Sequence, residues 1–237
     1  VLTEDLGNTG SGGALSDSDV LNIQVGAARF QQGVNGYTGT EDTYVADSNP
    51  NTSYGNSTSI ITDDAGSVEQ GLIRFDNLFG SGPGQIPFGS TITNATLSVY
   101  VTDADSNELI NLHRMNATWS EASTWNSLTS GIQTNGTEAA VSASATIDAG
   151  NSGWVTFTNL TSTVQDWING QPNFGWAILS NGADDWAFHS SESATVSLRP
   201  YLSISYTSPQ LSQIDLDANN SSGASGANFR TTFTENG

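Results

Sequence analysis

Short runs in which apolar and small polar side chains alternate one for one, each closed by a cluster of Gly, Pro or Asn, constrain this chain most. The clearest is Thr96-Leu97-Ser98-Val99-Tyr100-Val101. A period of two sends successive side chains to opposite faces of a strand, so such a run suits a sheet with one face in a core. Gly80-Ser81-Gly82-Pro83-Gly84 is a typical separator, because Gly and Pro supply the backbone angles of turns and interrupt strands. Candidate strands are Thr43–Ala46, Ser57–Thr62, Gly71–Phe75, Thr91–Thr102, Leu109–Met115, Trp154–Thr158, Trp176–Ser180, Trp186–His189 and Tyr201–Thr207. Strands so numerous and so spaced favour two packed antiparallel sheets over a parallel α/β sheet. One short helix is expected across an end of the sandwich. Thr161 or Asn159 caps it, Val164, Trp167 and Ile168 fall at helical spacing, and Gly170 with Pro172 ends it.

With 237 residues, of which 35% are hydrophobic, the chain can close one sizeable core without staples. Only 12% of residues are charged, about half the usual share, and 59 Ser and Thr with 22 Asn make up the polar surface. Lysine is absent, and the only cations are Arg29, Arg74, Arg114, Arg199 and Arg230, against a net charge of −19. Nucleic acid is therefore excluded as a partner, since phosphate binding needs clustered Lys and Arg. Anionic membranes and strongly acidic polysaccharides are disfavoured for the same reason. The absence of lysine excludes Schiff-base chemistry, and the absence of cysteine excludes disulfides, thiol nucleophiles and thiolate metal sites. No apolar run approaches the ~18 residues of a membrane span. Val1 opens no charged leader segment, so the numbering is expected to start inside a longer protein or after processing.

Three zones differ in texture. Residues 1–28 are rich in Gly, Ser and Asp, residues 29–207 carry all six tryptophans, and residues 208–237 are polar again. The middle zone contains Asp42-Thr43-Tyr44-Val45, Asn49-Pro50-Asn51-Thr52-Ser53-Tyr54-Gly55 and Leu72-Ile73-Arg74-Phe75-Asp76. It continues through Ile92-Thr93-Asn94-Ala95-Thr96-Leu97, Trp119-Ser120-Glu121, Thr124-Trp125-Asn126 and Val164-Gln165-Asp166-Trp167. Asn173-Phe174-Gly175-Trp176 and Arg199-Pro200-Tyr201-Leu202 complete the series. In order and spacing these segments resemble the DNRLRE domain, a bacterial extracellular β-sandwich related to one family of carbohydrate-binding modules. The resemblance implies an all-β, jelly-roll-like two-sheet antiparallel sandwich with a non-catalytic role, located extracellularly or on a bacterial cell surface.

The ends resemble something else. Asp5-Leu6-Gly7-Asn8-Thr9-Gly10 through Val25 is similar to the closing strand of a bacterial cadherin-like repeat, and Ile214 to Gly237 to the opening of another. This implies β-strand extensions at both ends and a place in an array of surface domains. Polar, Gly-rich ends are ordered only when tied down. Strands there need partners: each other, the sandwich, or neighbouring copies and adjacent domains by strand donation. The expectation is that the end zones complement one another or a neighbour and build a fibre.

Candidate sites follow from residue type and spacing. Asp103-Ala104-Asp105-Ser106-Asn107 and Asp215-Leu216-Asp217-Ala218-Asn219 share an alternating D-x-D-x-N pattern. Its oxygen ligands (Asp103, Asp105, Asn107; Asp215, Asp217, Asn219) suit Ca²⁺. Both lack the Gly and the Glu that complete a helix-flanked calcium loop, and a hairpin with a solvated acidic tip is the alternative. The cadherin-like resemblance favours calcium at the second. Glu41 and Asp42 form a further carboxylate pair for Ca²⁺. Ser190 and Asp185 lie near His189 in sequence, but no nucleophile elbow accompanies them. Two histidines make a catalytic zinc site unfavourable, and Glu41, Glu69, Glu108, Glu121, Glu138 and Glu192 have no readable separation for glycoside hydrolysis.

Sugar-binding sandwiches present aromatic rings flanked by polar groups. Trp186, Tyr37 and Tyr54, in or beside Gly- and Asn-containing loops, are the stacking candidates, whereas Trp119, Trp125, Trp154, Trp167 and Trp176 are expected in the core. Arg74 is expected to pair with Asp76, and Glu121 to make a structural hydrogen bond. The leading expectation is a non-catalytic structural or adhesive surface module, with a carbohydrate-binding module for neutral glycans as the alternative and an enzyme last.

Overall fold

The computed structural model describes residues 25–104 and 108–209, together with the backbone of two short strands, Leu2–Glu4 (β1) and Ser16–Ser18 (β2). β1 and β2 pair with each other, Leu2 facing Ser18. The described strands of the N-terminal zone thus find their partner within that zone. The C-terminal extension expected from Ile214 lies outside the described residues.

The body runs β3 (Val25–Gln31), β4 (Thr40–Ala46), β5 (Ser59–Thr62), β6 (Glu69–Phe75), β7 (Thr91–Asp103), β8 (Leu109–Arg114), β9 (Ala145–Asp148) and β10 (Gly153–Phe157). After the helix α1 (Thr161–Ile168) come β11 (Trp176–Ser180), β12 (Trp186–His189) and β13 (Tyr201–Thr207). One sheet has the order β3-β13-β7-β12-β5 with β10 also on β7, and the other the order β4-β6-β11-β8-β9. Every pairing between these strands is antiparallel. The fold is an all-β sandwich with one α-helix.

β7 organises the first sheet. Its Leu97 and Ser98 pair with β13 on one side and β10 on the other, and its Val101 pairs with both β10 and β12. β13 and β12 therefore follow one another along one edge of β7 while β10 occupies the opposite edge. Leu97, Val99 and Val101 point into the core with Leu202 and Ile204 of β13 and Phe188 of β12. Ile73 and Phe75 of β6, Ile110 and Leu112 of β8, and Trp176 and Ile178 of β11 face them from the second sheet. A smaller apolar group on that sheet's outer face, Leu72 and Ala177, is covered by Met115, Trp119, Ile132 and Ala139.

All nine expected runs form strands, while β3 and β9 had no distinct sequence signal. β3 consists mostly of small residues with little strand preference, yet it is held along its whole length by β13, from Val25↔Thr207 to Gln31↔Tyr201. It starts before residue 29, so residues 25–28 belong to the sandwich and not to the end zone. The helix starts without either expected cap: no side chain caps it, Leu160 takes the N-cap place, and Asn159 has a left-handed φ of 64° that turns the chain into the helix. Gly170, at φ 98°, follows the helix end as expected. Val164, Trp167 and Ile168 enter the core, and Gln165 Oε1 accepts the Ile92 N–H at 2.8 Å, which ties α1 to the start of β7.

Candidate functional site

Strand alternation decides which aromatic rings meet solvent. On β12, Trp186 and Phe188 point into the core and His189 points out. Trp186 is 0% exposed, so its expected role in stacking on a ligand is corrected: it is a core residue. On β10, Val155 and Phe157 point inward, which sends Trp154 outward, 42% exposed. The expectation of a core role for Trp154 is corrected in turn.

Around Trp154 the outer face of the first sheet gathers four further side chains. Tyr100, directly across on β7, meets it edge-on with centroids 5.5 Å apart and an interplanar angle of 87°. Tyr201, from the far side of β7, lies 5.0 Å from it. His189 rests against Tyr100 at 5.8 Å with its ring tilted by 26°. The Arg29 guanidinium sits 3.6 Å above the Tyr201 ring. That guanidinium is held in place: its Nη2 donates to Gln31 Oε1 at 3.0 Å, and Gln31 Nε2 donates to the carbonyls of Arg199 and Val196 at 2.7 and 3.2 Å. Ser98 lies buried on the same face and shares a 2.8 Å hydrogen bond with Thr156.

This arrangement can take the apolar face of a flat ligand on Trp154 while the guanidinium and imidazole reach polar groups at its rim. Sequence reading missed it because its residues come from five strands. A local signal was present: Thr156 shares the phase of Trp154, and Val155 that of Phe157, so the polar partner marks the outward side.

The other stacking candidates are placed differently. Tyr54 is stacked on Tyr44 at 4.1 Å and 18°, so one of its faces is covered. Burial pushes the Tyr44 hydroxyl up to about 12. Tyr37 is half-buried, meets Phe30 edge-on at 5.3 Å and donates its hydroxyl to the Asp76 carbonyl at 2.9 Å. Burial first, then the Asp76 carboxylate, raises that hydroxyl far above the ordinary tyrosine range. Tyr37 and Arg29 line a groove of about 580 Å³ beside β3.

Asp103 sits exposed at the end of β7, while Asp105, Asn107, Asp215, Asp217 and Asn219 lie outside the described residues. Glu41 and Asp42 do not act as a pair. Being consecutive on a strand they take opposite faces: Glu41 goes out to Arg74, and Asp42 goes into the sandwich, where it is 0% exposed. Arg74 also pairs with Asp76 at 3.0 Å, as expected, and donates to the Trp119 carbonyl at 3.2 Å. Burial, then the charges of Glu192 and Glu41, raises the Glu121 carboxyl, and the Asp42 backbone N–H offsets part of that rise.

A cluster that sequence reading did not find joins Asp63, Glu69 and Asp185, whose carboxylate oxygens lie within 4.8 Å of one another. Burial, then these neighbours, raises Glu69 although Ser67 hydrogen-bonds it. Asp185 therefore faces carboxylates and not His189. The Ser190 hydroxyl donates to the Ser57 carbonyl at 2.6 Å, so Ser190, His189 and Asp185 form no catalytic relay.

A strand sandwich with an exposed tryptophan ring in an aromatic cluster beside a fixed guanidinium has the form of a ligand-binding module. The chain belongs to carbohydrate-binding module family 96, whose sequence model matches residues 34–206. Both expected extensions fall outside the matched region, so the match bears on the sandwich alone. A search of curated proteins finds no match. Among the described residues no helix is long and apolar enough to cross a membrane.

Proposed function

We propose that the protein is a non-catalytic module that works outside the cell and binds neutral glycans across the outer face of β10, β7 and β13. The observation that carries this reading is the exposed Trp154 ring, braced by Tyr100 and Tyr201 on strands and not on a loop. A rigid ring offers its face to pyranose C–H groups at little entropic cost. Neutral ligands are favoured because a net charge of −19 repels polyanions at a distance, and Arg29 is the only arginine among these five side chains. The test is affinity electrophoresis and a glycan array. Trp154→Ala should weaken binding by about tenfold or more, roughly 1.4 kcal/mol, while the melting temperature stays close to that of the parent. Undiminished binding by that variant would remove this face from the function.

A second reading, assembly with neighbouring copies or adjacent domains through the N-terminal zone, is supported by β3, which stands at an edge of its sheet among the described residues. An edge strand is a template for strand addition. The full chain should then form oligomers in size-exclusion chromatography, and deleting residues 1–24 should abolish them and leave the sandwich folded; a monomeric full chain, or oligomers that survive the deletion, would exclude that zone.

A further inference from the structure

Asp42 is 0% exposed and faces the interior from the edge strand β4, across from Ile73. Its Oδ2 accepts the Ser191 N–H at 2.8 Å, but its buried Oδ1 has no hydrogen-bond partner. Glu192 follows Ser191 directly, which makes its carboxylate a neighbour of Asp42. Glu192 Oε1 accepts the Ser191 hydroxyl at 2.7 Å, and its Oε2 is likewise buried and without a partner. A third carboxylate, Glu121, adds its charge to both. Among the described residues no arginine pairs with Asp42: Arg74 is engaged with Glu41 and Asp76 on the opposite face of the sheet, and Arg199 donates its Nε–H to the Ser193 carbonyl at 2.8 Å. Two neighbouring carboxylates with orphaned buried oxygens are costly. Burial, then the Glu192 charge, accordingly drives Asp42 well above the usual carboxylate range when nothing sits between them.

The surroundings are built to hold these groups in place. Ser190, Ser191 and Ser193 are buried, and Ser190 Oγ accepts the Glu192 N–H at 3.1 Å while donating to the Ser57 carbonyl. On the other side, Gly55 packs so closely on Glu121 that an added Cβ would come within 2.4 Å of the Glu121 Cβ. We propose that Asp42 and Glu192, with Glu121 beside them, bind one Ca²⁺ that joins β4 to the 190–193 loop. An all-oxygen donor set without His or Cys suits a hard cation, and irregular carboxylate geometry suits Ca²⁺ better than Mg²⁺. This site lies apart from the Trp154 face, so the two proposals stand or fall separately.

The experiment uses the full chain, stripped with chelator and then titrated with CaCl₂ by calorimetry and thermal unfolding. Binding of one ion per chain is expected, with a rise in melting temperature of roughly 5–10 °C at a hundredfold excess over Kd. The isosteric double variant Asp42→Asn, Glu192→Gln should lose that response, and Asp185→Asn, in the other acidic cluster, should keep it. Hydrogen exchange on the unaltered protein covers the case of a double variant that does not fold: calcium should slow exchange in residues 40–44 and 190–193. Absence of heat and of any melting shift would overturn the proposal. So would protection confined to other segments, or a stripped protein stabilised by mild acid to which calcium adds nothing, because a proton shared between the carboxylates would then account for the pair.

Discussion

Two tryptophans show how much a single position on a strand decides. Trp186 is enclosed by the core, in contact with Phe188 at 5.4 Å, and truncating a buried Trp removes both its transfer energy and the atoms that fill its space. Trp186→Ala should therefore destabilise the protein by about 3–5 kcal/mol, measured as a lower urea midpoint with an unchanged slope. Trp154→Ala removes a ring that is already 42% exposed and should cost far less stability. Glu69 makes a different kind of prediction. Its raised proton affinity means that the folded chain keeps a proton at pH values where the unfolded chain has released it. Stability therefore increases as pH falls through the folded value and levels off below the unfolded one. Glu69→Gln should flatten that part of the stability profile, as followed by thermal unfolding between pH 4 and 7.

Among the elements, β6 and β11 approach closely at Gly175. Gly175 enters β11 with φ 68°, its N–H held by Asn173 Oδ1 at 3.0 Å and its carbonyl accepting the Met115 N–H at 3.0 Å. A Cβ there would lie 2.1 Å from the Ile73 carbonyl oxygen. Only glycine combines that backbone angle with that approach. Gly175→Ala should destabilise by more than about 1 kcal/mol, and near-ultraviolet circular dichroism should report disturbed packing of the adjacent Trp176. β7 has the opposite character: thirteen residues long, it takes three partner strands. That length lets one strand carry Ser98 and Tyr100 under rings supplied from both of its sides.

For the molecule as a whole, charge sets the response to solvent. With 24 acidic residues against 5 basic ones, self-repulsion outweighs the few ion pairs formed by Arg74 and Arg114. Screening should relieve more than it weakens, so raising NaCl from about 10 mM to 0.3 M, a change from a ~30 Å to a much shorter screening length, should raise the melting temperature in differential scanning calorimetry. The neutral Ser, Thr and Asn surface keeps such a chain hydrated without lysine. Of its five arginines, the proposed glycan-binding face draws on Arg29, which stands over Tyr201.

The amino-acid order alone determined that this chain is a β-sandwich, and marked most of its strands, because strand periodicity and turn residues are local properties. In Trp186-Ala187-Phe188-His189 and Trp154-Val155-Thr156-Phe157 it also set which residues share a face. Which face turns inward depends on what packs opposite, and that depends on segments far away in the chain. Only the tertiary structure buried Trp186 and exposed Trp154, separated Glu41 from Asp42, and brought Asp42 to Glu192 across 150 residues of intervening fold. Burial and carboxylate proximity are properties of packed neighbours, and no local pattern encodes them.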